Sequence, residues 1–177
     1  MEPMAESMRR KGKQWGIPLK EGVQVISLYA DDLLLFLLDG MRDLEATIEM
    51  LDDFGILSGL RLNPRKSCLF PIEKSAMAPP PQLGGMQWCP TSFKYLGVQV
   101  YHETRDIREG NLGRAVRNLK TSVAFWRSLK LPIMSRISLS KMIILPRVLY
   151  FFVTLPIWLP QNWFKELDTL TRDLVWD

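Results

Sequence analysis

Two adjacent aspartates, Asp31 and Asp32, are the strongest candidates for a reactive or metal-binding group in this sequence. Apolar residues of strand character flank them on both sides, within the stretch Ile26–Phe36. Adjacent carboxylates repel each other unless a cation lies close to both. Hard divalent cations such as Mg²⁺ prefer oxygen ligands, and a pair of such ions can drive phosphoryl transfer. The pair therefore indicates a metal site, and the alternative is a plain polar turn, where aspartate is also favoured.

Two apolar runs of strand length, Val23–Tyr29 and Leu33–Leu38, must position this pair. They predict a β-hairpin with residues 30–32 in its turn. A helix beginning near Met41 is predicted next, with Asp39 as its cap, because apolar residues recur there at helical spacing. Its apolar face consists of Leu44, Ile48, Leu51 and Phe54.

The remaining elements change character along the chain. The pattern predicts a helix over residues 1–11, short strands at Leu60–Asn63, Ser67–Ile72 and Phe93–Tyr101, a loop at Ala76–Thr91, and helices at Leu112–Trp126, Ile133–Tyr150 (kinked at Pro146) and Asn162–Trp176. The fold class is therefore α+β, with a mixed first domain at residues 1–102 and a helical second domain at residues 103–177. Trp126 and Trp163 lie on apolar helix stripes and are predicted core residues.

Basic residues are concentrated in one segment. The chain has a net charge of +4, but residues 111–150 contain eight Lys and Arg and no Asp or Glu. A segment of one sign that also contains aromatic residues fits a polyanionic partner such as a nucleic acid. The alternative is a solvated helix face whose acidic partners lie elsewhere in the fold.

Composition excludes several classes of protein. Among 177 residues there are two cysteines, Cys68 and Cys89, and one histidine, His102, too few for a disulfide scaffold or a His-rich metal site. The N-terminus lacks the apolar core of a signal peptide. The apolar run Val25–Leu38 carries two central carboxylates and is shorter than the roughly 20 residues that span a membrane. We expect an intracellular protein, not secreted and without a membrane partner; nucleus and cytoplasm stay open.

Four segments carry a resemblance to a known family. Tyr29–Asp32, YADD, resembles the YxDD signature of reverse transcriptases, which lies in the palm of a right-hand polymerase. Gly59–Ser67, GLRLNPRKS, is similar to the G-x-x-[IL]-N-x-x-K-S segment of LINE-type, non-LTR retrotransposon reverse transcriptases. Phe93–Val98 is similar to their KYLG hairpin, and Arg136–Tyr150 resembles their thumb. The segments occur in the family's order along essentially the whole chain.

This resemblance implies both a fold and a catalytic centre. The fold would be a partial polymerase palm at residues 1–102, with the YxDD hairpin, a helix and short strands, followed by an all-helical thumb. Asp31 would be a catalytic metal ligand and Asp32 would lie beside the metals, with Mg²⁺ as the cofactor. Tyr29 would lie near the primer end. Lys66 would lie near the phosphates of the incoming nucleotide, although a surface lysine beside a turn is the alternative for it.

The resemblance also implies contacts with an RNA template and a DNA primer. Lys94, Tyr95, Leu96 and Gly97 would position the primer strand; the alternative is an ordinary core strand. Basic residues of the thumb would contact the nucleic-acid backbone, which is a sequence-independent and salt-sensitive interaction. These residues are Arg114, Arg117, Lys120, Arg127, Arg136 and Lys141.

Parts that the family requires do not occur in this sequence. The family has another essential aspartate on an earlier palm strand, and only Glu2, Glu6 and Glu21 precede Tyr29 here. The fingers and the Gly-rich nucleotide segment are absent as well. We therefore expect a reverse transcriptase fragment that binds Mg²⁺ weakly or not at all and is inactive alone.

Two alternatives remain open for the chain as a whole. It could be a non-catalytic nucleic-acid-binding module that uses the basic segment 111–150, or a functionless translated relic of a mobile element. In either case the hairpin would leave an uncovered palm edge, and such edges favour aggregation or association.

Overall fold

A computed structural model describes residues 2–73, 79 and 84–176 of the chain. The fold is mixed α+β, with small two-stranded sheets and six α-helices in the described residues. Residues 76–78 and 80–83 of the predicted loop lie outside the described residues.

The chain divides into two compact units. The first comprises Met1–Cys68 and Pro79–Trp88, and the second comprises Leu69–Ala78 and Cys89–Asp177. The segment 92–102, assigned to the palm from the sequence, therefore belongs to the same compact unit as the helices of the C-terminal part. A functional boundary at residue 102 stays a prediction.

The first unit contains the aspartate hairpin. Its helices are α1 (Glu2–Lys11) and α2 (Gly40–Ser58), and its strands are β1 (Ile17–Leu19), β2 (Gly22–Gln24), β3 (Ile26–Tyr29), β4 (Asp32–Leu35) and β6 (Gln87–Trp88). The division between the units falls within β5 (Cys68–Leu69), with Cys68 in the first unit and Leu69 in the second. β1 pairs antiparallel with β2, and β3 pairs antiparallel with β4. Met4 and Met8 on α1 pack in one buried cluster with Val25 and Ile26, so the hairpin is anchored at its base.

Both ends of α2 are closed by local hydrogen bonds. Asp39 occupies the predicted N-cap position, but its side chain makes no capping hydrogen bond. The predicted position is therefore confirmed, and the predicted capping by the Asp39 side chain is wrong. Instead, the Asp39 N–H donates to the carboxylate of Asp43 at 2.7 Å. Gly59 ends the helix with φ 74°, a left-handed conformation that suits glycine.

The predicted strand Leu60–Asn63 is wrong. The Asn63 carbonyl accepts the backbone N–H groups of both Lys66 and Ser67 at 3.1 Å, which turns the chain into a short 3₁₀ helix, Pro64–Lys66. The proline at the first position of that turn favours it, because its φ is already helical. Of the predicted strand Ser67–Ile72, only β5 forms.

The second unit contains one hairpin and the C-terminal helices. Its elements after β5 are β7 (Ser92–Tyr95), β8 (Val98–Tyr101), α3 (Thr104–Ser128), α4 (Ile133–Leu139), α5 (Leu145–Thr154) and α6 (Gln161–Trp176). The single strand predicted at Phe93–Tyr101 is wrong, because Leu96 and Gly97 form a two-residue turn between β7 and β8. Both turn residues have positive φ, 45° and 83°, as hairpins of the primed type require.

α4 and α5 form one helical stretch, Ile133–Thr154, interrupted by a π-helical segment at Ser140–Ile144. The predicted helix thus continues four residues beyond Tyr150. A proline ring inside an α-helix clashes with the carbonyl four residues earlier, here that of Met142. The π-helical segment contains Met142 and ends at Ile144, two residues before Pro146, where it widens the turn.

This stretch has a second unusual property. Within the part of the chain that the structure describes, it is one helix of 22 residues that is long and apolar enough to cross a membrane, with mean hydropathy 1.5. Only 11% of its apolar window is buried.

α3 and α6 provide much of the core of the second unit. Leu112, Val116, Leu119 and Val123 form the predicted buried stripe of α3. Trp163 is 4% exposed, and Trp126 is partly buried against the same cluster, which confirms their assignment to the core.

Candidate catalytic hairpin and nucleic-acid interface

The aspartate pair lies at the end of hairpin β3–β4. Tyr29 pairs with Asp32 across the strands, so the turn contains only Ala30 and Asp31. The prediction that Asp32 also lies in the turn is wrong, because a two-residue turn is enough to reverse the chain. Asp32 is the first residue of β4. Ala30 has φ 52°, a left-handed conformation that is strained for a residue with a Cβ.

The carboxylates of the pair are open to solvent. Asp31 and Asp32 are exposed, and Tyr29 is 65% exposed. Directly opposed residues on antiparallel strands point to the same face, so Tyr29 and Asp32 share one face of the hairpin. The hairpin therefore brings together three of the predicted site residues at one exposed tip.

The pair supplies suitable atoms for a magnesium ion but too few of them. Carboxylate oxygens are the ligands that Mg²⁺ prefers. Among the described residues, however, no group of three or more His, Cys, Asp or Glu side chains could hold a metal ion. A two-metal site needs further carboxylates to hold both ions. The residues described do not fit such a site, and Mg²⁺ binding stays a prediction.

Lys66 lies in the same compact unit as hairpin β3–β4 but is not bonded to the aspartates of that hairpin. It is the last residue of the 3₁₀ turn and is exposed. Within the described residues, no hydrogen bond or ion pair links its ammonium to Asp31 or Asp32. The arrangement matches the alternative given above, a surface lysine beside a turn.

The predicted primer-positioning residues occupy the tip of hairpin β7–β8. Lys94 is exposed and lies on β7, next to Tyr95 at the end of that strand. The Leu96 carbonyl accepts a hydrogen bond from the Tyr150 hydroxyl of α5. A Cβ placed on Gly97 would lie 3.3 Å from the same hydroxyl, so only glycine fits that position without displacing it.

Asn111 holds the middle of the same hairpin. Its Oδ1 accepts the Gln99 N–H at 2.8 Å, and its Nδ2 donates to the Gln99 carbonyl at 2.7 Å. Nδ2 also donates to the Ile107 carbonyl at 2.7 Å. Asn111 is fully buried. Sequence reasoning missed this residue, because an asparagine inside a helix has no pattern that reveals a partner twelve residues away.

At least four of the six predicted backbone-contacting cations, Arg114, Lys120, Arg127 and Arg136, interact with other groups. Arg114 donates to Asn111 Oδ1 at 3.3 Å, and Arg136 donates through Nε to the Leu131 carbonyl at 2.7 Å. Lys120 forms an ion pair with Glu166 of α6 at 2.5 Å. For Lys120, the acidic partner lies elsewhere in the fold, as the alternative reading of the basic segment supposed.

Three of the predicted cations, Arg117, Arg127 and Lys141, are exposed. Arg117 lies near the middle of α3, whereas the start of the helix pairs a cation with a carboxylate of its own. There, Arg105 donates to Glu109 at 3.0 Å, and this hydrogen bond raises the pKa of the Arg105 guanidinium. After Glu109, α3 contains no further Asp or Glu, and Glu166 of α6 pairs with its Lys120.

A groove of about 650 Å³ runs between α3 and α5 beside the tip of hairpin β7–β8. Its lining includes Gly97, Asn118, Ser122, Arg147 and Tyr150. Arg147 Nη1 donates to Ser122 Oγ at 3.0 Å, which fixes the guanidinium at the groove. Sequence reasoning counted Arg147 in the basic segment but did not assign it a contact.

No protein-family model matches the chain. The assignment to reverse transcriptases therefore depends on the motifs themselves, YADD, the Gly59–Ser67 segment and KYLG, and on their order. The two hairpins give two of these motifs a defined backbone geometry, with each motif at a two-residue turn.

Proposed function

We propose that this chain is a palm-and-thumb part of an RNA-directed DNA polymerase of the non-LTR retrotransposon type. In this proposal it binds a template–primer duplex but does not extend the primer by itself. The observation that supports it best is the two-residue turn of hairpin β3–β4, which presents Asp31 and Asp32 side by side at an exposed tip within the motif YADD.

The incomplete ligand set is the reason for the second half of the proposal. Phosphoryl transfer depends almost entirely on positioning and on electrostatic stabilisation by metal ions and cations. Asp31 and Asp32 offer two carboxylates, and the described residues bring no third ligand to them. Catalysis therefore requires carboxylates from outside the described residues.

A primer-extension assay tests this reading. The chain is incubated with an RNA template, a labelled DNA primer, deoxynucleotides and Mg²⁺, alongside the variants Asp31→Asn and Asp53→Asn. Asp53 is an exposed carboxylate on α2 and serves as the matched control. We expect no extension by any of the three proteins. Product that Asp31→Asn abolishes and Asp53→Asn retains would contradict the proposed inactivity and establish a complete catalytic site.

The second candidate function is a nucleic-acid-binding module that does not catalyse a reaction. The absence of Asp and Glu from residues 111–150 and the exposure of Arg117 favour it. The two candidates differ when a second polypeptide supplies a palm strand with a further aspartate. A polymerase part then gains activity that Asp31→Asn removes, whereas a binding module gains none.

A further inference from the structure

The helical stretch Ile133–Thr154 exposes an apolar stripe along its length. The stripe consists of Met134, Met142, Leu145, Leu149 and Val153, which are 71, 74, 50, 49 and 85% exposed. Ile144 and Val148 of the same stretch are buried in the core of the second unit, so the stripe lies on a different face. Large apolar side chains at helical spacing on an open face are the mark of an interaction surface.

We propose that this stripe pairs with the same stripe of a second copy of the chain, as an antiparallel helix pair about a two-fold axis. The proposal does not depend on the function proposed above. Two-fold dimers are the commonest oligomers, and their interfaces must be self-complementary.

The stripe satisfies this requirement in the antiparallel register centred between residues 143 and 144. Met134 then faces Val153 of the second copy, Ser138 faces Leu149, and Met142 faces Leu145. Each pair places a long side chain against a shorter one, which is how facing helices interdigitate. The helix of 22 residues is about 33 Å long, so all three pairs and their symmetry mates fit along it.

The available area is sufficient for a specific dimer. With Phe152, which is 44% exposed beside it, the stripe offers roughly 600 Å² per copy, or roughly 1,200 Å² in total, the lower bound for specific interfaces. Three charged residues lie between Met134 and Val153. Arg136 and Arg147 donate to the Leu131 carbonyl and to Ser122 Oγ, and the long side chain of Lys141 can reach solvent past a neighbouring helix.

The salt dependence of binding distinguishes a second copy from other occupants of the stripe. An anionic membrane or an acidic partner would be attracted by the basic segment 111–150, so its binding would weaken as salt screens that attraction. Two copies of the basic segment repel each other, and screening removes that repulsion. The proposed dimer is therefore expected to tighten as salt rises.

Sedimentation velocity over a range of protein and salt concentrations tests the proposal. The variants are Met134→Glu, Val153→Lys and, as a matched control on α2, Ile56→Glu, whose side chain is 82% exposed. All three positions are exposed, and far-UV circular dichroism verifies that each variant folds. We expect a monomer–dimer equilibrium that Met134→Glu and Val153→Lys each weaken at least tenfold and Ile56→Glu leaves unchanged.

Mixing the two stripe variants tests the register. In a mixed antiparallel dimer the introduced carboxylate and ammonium face each other, and the opposite end keeps its native Met134–Val153 contact. We expect the mixture to associate at least tenfold more tightly than either variant alone. A monomer at all concentrations, a dimer insensitive to Met134→Glu, or a mixture no tighter than its components would overturn the proposal. Monomers that cosediment with lipid vesicles through the stripe would overturn it too, and would assign the stripe to a membrane surface.

Discussion

The buried side-chain amide of Asn111 pairs with both backbone groups of Gln99, accepting from its N–H at 2.8 Å and donating to its carbonyl at 2.7 Å. One residue of α3 thus hydrogen-bonds β8 as a neighbouring strand would. The Tyr150 hydroxyl adds a second bond, from α5 to the Leu96 carbonyl at the hairpin tip. Hairpin β7–β8 is therefore held to the helices of its own unit at two points.

Replacing Asn111 with alanine should destabilise the second unit strongly. The substitution leaves the partly buried N–H and carbonyl of Gln99 without their partner, and unsatisfied buried groups cost about 1–3 kcal/mol each. We expect Asn111→Ala to lower the free energy of unfolding by about 3 kcal/mol, measured by urea denaturation. Asn118→Ala, an exposed asparagine on the same helix, should change it by less than about 0.5 kcal/mol. Equal effects of the two substitutions would show that the Asn111 bonds contribute little.

Two glycines should respond differently to alanine. Gly97 has φ 83°, and an added Cβ would lie 3.3 Å from the Tyr150 hydroxyl. Because both the conformation and the space oppose a side chain, we expect Gly97→Ala to cost about 1–2 kcal/mol. Gly40, at the start of α2, has open space around its Cβ position. Gly40→Ala should be neutral or slightly stabilising when the thermal unfolding of both variants is measured, and a cost at Gly40 as large as that at Gly97 would contradict this explanation.

The strain at Ala30 predicts an unusual stabilising substitution. A left-handed conformation costs a residue with a Cβ about 1–2 kcal/mol, and glycine avoids this cost while losing more chain entropy on folding. We expect Ala30→Gly to raise the free energy of unfolding by about 0.5 kcal/mol. Ala46→Gly within α2 should lower it by about 1 kcal/mol, because glycine is a poor helix former. If both substitutions destabilise equally, Ala30 is not strained in solution.

The ion pair between Lys120 and Glu166 should restrain nucleic-acid binding by α3. The Lys120 ammonium already has a carboxylate partner at 2.5 Å, whereas Arg117 on the same helix is exposed. We therefore expect Arg117→Ala to weaken binding to an RNA–DNA hybrid more than Lys120→Ala does. Glu166→Gln should strengthen binding by about threefold, because it releases Lys120 for a phosphate contact. A weaker complex after Glu166→Gln would show that the pair orients Lys120 toward the nucleic acid instead.

The fold could be predicted where periodicity was strong. The helix stripe from Leu112 to Val123 and the hairpin around Asp31 follow directly from apolar spacing, and the structure confirms both. The segment Phe93–Tyr101 was predicted as one strand because apolar residues alternate in both of its halves. In the hairpin, Tyr95 opposes Val98, so the apolar face shifts from odd to even positions at the turn. That change of phase was the signal of the turn in the sequence.

The site could be predicted only in part, for a related reason. Asp31 and Asp32 can be identified from the sequence because they are adjacent, and no tertiary information is needed to find them. The internal partners of Lys120 and Arg136 arise from packing and from a local turn, which charge counting does not register. Asn111 gives no sequence signal, because its importance comes from Gln99 across the hairpin.

Binding to a template–primer duplex is the property on which the proposed palm-and-thumb function depends. The measurement is a fluorescence-anisotropy titration of a labelled RNA–DNA hybrid at several salt concentrations, with the wild-type chain, Arg117→Ala and Asp31→Asn. The account predicts affinity that falls steeply with salt, a slope reduced by about one for Arg117→Ala, and unchanged binding for Asp31→Asn. Binding that is absent at low salt, or insensitive to both salt and Arg117→Ala, would contradict the proposed role of this chain.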